Sequence, residues 1–101
     1  MKRPEILDEA KKIVSGRREQ EYGAPEDSFT ATAALWTAYI NAAHPECAIK
    51  FSPKDVAMML GCLKVARIAR GDKPDSFIDL AGYAACAGEI ATQEFQSTFP
   101  A

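Results

Sequence analysis

Two groups of polar residues in this sequence have the types and spacing to hold an anion. The first is the run Arg17 to Phe29, R-R-E-Q-E-Y-G-A-P-E-D-S-F. A Tyr22-Gly23 turn leading into a helix start presents backbone N–H groups and a partial positive charge, which together favour a phosphate. Arg17 and Arg18 stand just before that turn and could add charge-assisted hydrogen bonds. Tyr22 is the aromatic best placed to stack on a base. The plain alternative is a helix–turn–helix connection with Tyr22 and Phe29 packed inward and the arginines solvated.

The second group joins two helices. Lys64 and Arg67, three residues apart, share a helix face, and Asp75, Asp79 and Tyr83, four apart in succession, form a stripe on the next helix. Charges inside an apolar helix pair are costly unless matched. One reading is a structural ion-pair network between Lys64 or Arg67 and Asp79. The other has the cations facing a pocket, with Asp79 orienting them or, together with Asp75, holding a metal. Both readings stand at this point.

Four helices would position these groups, at roughly 4–15, 25–42, 53–70 and 74–95, and no segment reads as a strand. Ile6, Ala10, Ile13 and Val14 recur at helical spacing in the first, which Gly16 stops. Glu26 and Asp27 favour the N-terminal end of the second, whose apolar stripe is Phe29, Ala33, Trp36 and Ile40, with Tyr39 beside it. Ile49 and Phe51 of the following linker are expected to tuck in. Ser52, Pro53 and Asp55 give the third helix the clearest start signal in the chain. That helix is apolar over much of its circumference, which predicts that it is the central one, with Met58, Met59 and Cys62 in its core. Phe77, Leu80, Ala84, Ala87 and Ile90 supply a core face for the fourth. Its small residues between Ala81 and Gly88 would let another helix approach closely. The expected fold is therefore all-α, one compact four-helix domain over residues 1–101.

Bulk properties narrow the function classes. A formal net charge of −2 argues against a general nucleic-acid binder. No stretch approaches the roughly 20 apolar residues of a membrane span, and the polar start MKRPEILDEAKK lacks a signal peptide's apolar core, so a cytoplasmic location is expected. Cys47, Cys62 and Cys86 are odd in number and form no C-x-x-C pair, which argues against a disulfide framework or zinc site. The lone His44 has no partner motif. A chain of 101 residues buries a small share of its surface, which favours a homo-oligomer.

With these clusters in view, the chain resembles a family of small phage and prophage proteins of uncharacterised function. Their pattern is Y-G-x-P-x-x-x-F, then A-x-L-W, K-x-x-R and P-D-S-x-x-D-x-x-x-Y-A. Here it falls on Tyr22, Gly23, Pro25, Phe29, Ala34 (one residue nearer Leu35 than that spacing), Trp36, Lys64, Arg67, Pro74, Asp75, Ser76, Asp79, Tyr83 and Ala84. More distantly it is similar to nucleotide modification associated domain one and to the MazG-type all-α nucleoside triphosphate pyrophosphohydrolases. The latter resemblance implies a MazG-like fold and magnesium held by E-x-x-E on one helix and E-x-x-D on the next. This chain has no E-x-x-E on its third helix and D-x-x-x-D on its fourth.

Cations therefore outnumber credible metal ligands, a balance that suits phosphate binding without metal. The expected function is capture, without turnover, of a nucleotide or nucleotide-derived ligand, with a bacterial immune messenger as one class and anti-defence as the role. The ligand-binding residues would be Arg17, Arg18, Tyr22, Gly23, Lys64, Arg67, Asp79 and Tyr83; no catalytic residue is assigned and binding requires no cofactor. One alternative is a Mg²⁺-dependent pyrophosphohydrolase with Asp75 and Asp79 as ligands. Another is a helical protein–protein module.

Overall fold

The computed structural model describes residues 1–16 and 25–98, and the side chains of 1–16 and 27–93. They form four helices and, among the described residues, no strand: α1 (Arg3–Ser15), α2 (Pro25–Ala43), α3 (Pro53–Ile68) and α4 (Pro74–Thr98). All four expected helices are present. The third ends at Ile68, two residues early, and Ala69, Arg70 and Gly71 close it with N–H bonds to the carbonyls of Val65, Arg67 and Ile68.

The central helix is α4, not the expected α3. It packs extensively on α3 along one side and on α1 along another. Its inward face agrees with expectation at Ala87 and Ile90 and differs elsewhere. Ile78, Gly82, Cys86 and Ile90, each four residues from the last, are buried, whereas Phe77 and Ala84 are exposed. Gly82 makes the middle of this face small. A Cβ added at Gly82 would lie 3.3 Å from Val14 Cγ1, so α1 seats its valine where α4 has no side chain. The small-residue stripe thus lets another helix approach closely at Gly82, and that helix is α1 of the same chain.

The core joins α2, α3 and α4 through Phe29, Ala33, Val56, Ala57, Ala87 and Ile90. Among the described residues, Val56 is the one large side chain that is fully buried. Such burial stabilises by about 1.5–3 kcal/mol. Met58, Met59 and Cys62 are exposed, contrary to the core position expected for them. A helix apolar all round carries no periodicity to say which side is covered, and α3 has neighbours on only part of its circumference.

The linker is held by α2. Asn41 Nδ2 donates to the Ile49 carbonyl at 2.9 Å and its Oδ1 accepts from the Ile49 N–H at 3.3 Å. One turn back, Thr37 Oγ1 accepts from the Phe51 N–H at 2.9 Å. These bonds fix the backbone and leave the Ile49 side chain exposed rather than tucked in. Phe51 does turn inward, edge-on to Trp36 with ring centroids 5.9 Å apart. Ser52 then starts α3 through a reciprocal cap: the Asp55 N–H donates to Ser52 Oγ at 3.1 Å, and the Ser52 N–H donates to Asp55 Oδ2 at 2.9 Å. The Ser52 N–H first, and the Ser52 hydroxyl second, hold the Asp55 carboxyl below the usual carboxylate range.

Candidate functional site

The second cluster assembles where α3 crosses α4. Gly61 opens the crossing: a Cβ there would lie 3.4 Å from Leu80 Cδ1 and 4.0 Å from Tyr83 Cβ. One turn later Lys64 reaches across, and its Nζ lies 2.9 Å from Asp79 Oδ2. Their side chains retain 13% and 19% of full exposure, so the pair is largely but not wholly removed from water. Removal from water costs both charges solvation, which their close approach must offset. The structural ion pair read from the sequence is therefore present.

The other expected residues divide by position. Arg67 is exposed, three residues beyond Lys64 on the same helix, with Arg70 a turn further on. Asp75 is also exposed, while Asp79 is engaged by an ammonium group. A cation held by these two carboxylates would first have to displace Lys64. Among the described residues, no three His, Cys, Asp or Glu come close enough to share a metal ion. Tyr83 is half-buried against the core, its ring 6.4 Å from that of Phe29 at a 46° tilt. Its position makes it a packing residue on the flank of the crossing. Arg17, Arg18, Tyr22 and Gly23 lie outside the described residues.

The structure adds residues that sequence reasoning passed over. Ser76, part of the P-D-S motif, is the buried polar residue of the first turn of α4. Thr37 and Asn41, which brace the linker, are four apart on α2; that spacing was visible, but nothing local announced a backbone partner eight to fourteen residues away. Tyr39, expected beside the apolar stripe, is exposed.

A family model described as a domain of unknown function, DUF6378, matches residues 5–91. The chain belongs to this family. The DUF6378 match includes α1 from its third residue, all of α2 and α3, and most of α4. Among curated proteins, the chain is similar to the Gene 55 protein of Mycobacterium phage L5, 39% identical over 80 residues, covering 78% of this chain and 47% of that protein. It is also similar to the Gene 55 protein of Mycobacterium phage D29, 36% identical over 86 residues, covering 84% of this chain and 52% of that one. This DUF6378 chain thus spans about half the length of the curated relatives it matches. No solved structure matches it. No described helix is long and apolar enough to cross a membrane.

Proposed function

We propose that this DUF6378 protein captures a nucleotide or nucleotide-derived phosphate ligand at the α3–α4 crossing, without turning it over. The observation that carries this reading is the Lys64–Asp79 pair with Arg67 beside it. Asp79 takes one of the three N–H directions of Lys64 and sets the ammonium in place. Arg67 keeps its planar fork in solvent, and such a fork suits bidentate phosphate contact. Arg17, Arg18, Tyr22 and Gly23 are proposed as the second half of the site, for the chemical reasons their sequence run supplies. Because Asp79 is committed to Lys64 and Asp75 stands in solvent, the carboxylates serve to orient a cation rather than to hold magnesium.

The phage relatives suggest which ligands to test. A signalling nucleotide made by the infected host, such as an immune messenger, would be sequestered by a binder that does not release products. The test is to denature protein purified from cells and identify the released small molecules by mass spectrometry, followed by calorimetry against mono-, di-, cyclic and ADP-ribose nucleotides. A co-purified nucleotide whose affinity falls in Lys64→Met and Arg67→Ala supports the reading. Absence of binding at protein concentrations well above micromolar overturns it. Pyrophosphate release with Mg²⁺ that is lost in Asp79→Ala would replace capture by hydrolysis.

A further inference from the structure

Among the described residues, Ser76 is the one polar residue that is buried, at 8% exposure. A buried hydroxyl calls for a partner, and inside a helix the usual one is the carbonyl four residues earlier. Ser15, Thr32 and Thr92 donate in that way to the carbonyls of Lys11, Ser28 and Gly88. Ser76 stands third in α4, after Pro74 and Asp75, so the carbonyl four residues back lies before the helix begins. Its backbone N–H donates to the Lys73 carbonyl at 3.1 Å, while its hydroxyl donates to no described residue. No wholly enclosed side-chain polar atom of the described residues lacks a partner. The Ser76 hydroxyl therefore opens to solvent from an otherwise covered residue.

The antiparallel pairing of α3 and α4 sets that opening beside two cations. Gly61 faces Leu80 and Tyr83, Lys64 meets Asp79, and residues 69–73 join the two helices. The turn of α3 that follows Lys64, bearing Arg67, thus comes level with the first turn of α4, bearing Ser76. Ser76 and Asp79, three apart, share a face of α4 and are separated by about 4.5 Å along its axis. Asp75 is exposed and turned about 100° around the helix from Ser76, which takes its carboxylate off that face.

We infer that the Ser76 hydroxyl is a third contact of the capture site, and that the ligand meets the site with a terminal phosphate rather than a phosphodiester. This rests on the capture reading above. Lys64, Arg67 and Ser76 offer an ammonium, a planar fork and a hydroxyl as donors. A terminal phosphate has three unesterified oxygens to receive them. A phosphodiester has two, and leaves one donor of a partly buried site without an acceptor, which weakens binding.

The test is an amide-shift titration of the full chain by nuclear magnetic resonance, with inorganic pyrophosphate and with trimetaphosphate. Both lack a base and carry similar charge near neutral pH, but only pyrophosphate ends in terminal phosphates; each phosphorus of the trimetaphosphate ring keeps two free oxygens. The expected result is pyrophosphate binding at least about tenfold tighter, with shifts at the Lys64, Arg67 and Ser76 amides. Ser76→Ala and Ser76→Cys should each weaken pyrophosphate by about tenfold, leave trimetaphosphate unchanged and keep the urea midpoint near wild type. Cysteine keeps the size of serine and loses its strong donor, so a serine that only fills space would let Ser76→Cys bind as wild type. That result, with Lys64→Met and Arg67→Ala still weakening pyrophosphate, overturns the inference and leaves capture standing. Equal affinity for the two probes, or no pyrophosphate binding up to millimolar concentration, also overturns it. Failure of the capture reading shows separately, as silence across the nucleotide panel.

Discussion

Lys64 on α3 and Asp79 on α4 are joined at 2.9 Å, a bridge across the most extensively packed helix pair of the fold. Because the two side chains keep some exposure, the loss of either partner leaves a charge that is stranded but partly hydrated. Lys64→Met or Asp79→Leu alone should destabilise by about 2 kcal/mol, less than the roughly 3–5 kcal/mol of a fully buried pair. The double variant should recover most of that loss in urea denaturation. Ligand binding should be lost in all three, which separates the pair's structural contribution from its proposed role in capture.

The Ser52–Asp55 cap should make part of the stability depend on acid. A carboxyl whose folded-state pKa is depressed contributes fully above its unfolded value, near about 4, and loses that contribution as pH falls through the lower folded value. Asp55→Ala should cost about 1 kcal/mol at neutral pH. The gap between wild type and variant should narrow as denaturation midpoints are measured at progressively lower pH through that range. A gap that stays constant would mean the cap carboxylate is not responsible.

Gly82 should distinguish size from helix propensity. Alanine gains up to about 1 kcal/mol of propensity in a helix interior but brings its Cβ to 3.3 Å from Val14 Cγ1, so Gly82→Ala should be close to neutral. Gly82→Leu has no such compromise and should cost about 1–3 kcal/mol by displacing α1. Faster amide exchange confined to α1 would locate the damage; uniform loss across the chain would not fit this picture.

Asn41→Ala removes both bonds to the Ile49 backbone, and Thr37→Val removes the one to Phe51. The Asn41 bonds lie in an exposed region, so the expected loss is about 1 kcal/mol rather than the sum of two buried bonds. Amide exchange at Ile49 should quicken in Asn41→Ala while that at Val56 stays slow.

The start of α3 was legible because Ser52, Pro53 and Asp55 are local signals acting over three residues. The Lys64–Asp79 bridge was legible because charges on apolar helices leave few places to go. The covered side of α3 was not legible: Met58, Met59 and Cys62 differ little in apolarity from Val56 and Ala57, and only the placement of α2 and α4 separates them. The stripe on α4 was legible at Ala87 and Ile90 but not at Phe77 and Ala84, because Gly82, which accepts a neighbour by lacking a side chain, carries no apolar signal of its own. Ile49 is apolar yet exposed because its backbone, not its side chain, is what α2 grips.

That grip has a kinetic consequence. The bonds from Thr37 and Asn41 span only fourteen and eight residues of chain, so α2, the linker and the first turn of α3 close with little loss of loop entropy. Such local closure predicts that this hairpin forms before α4 brings Asp79 to Lys64. Substitutions at Thr37 and Asn41 should therefore slow refolding, whereas Gly82→Leu should chiefly hasten unfolding.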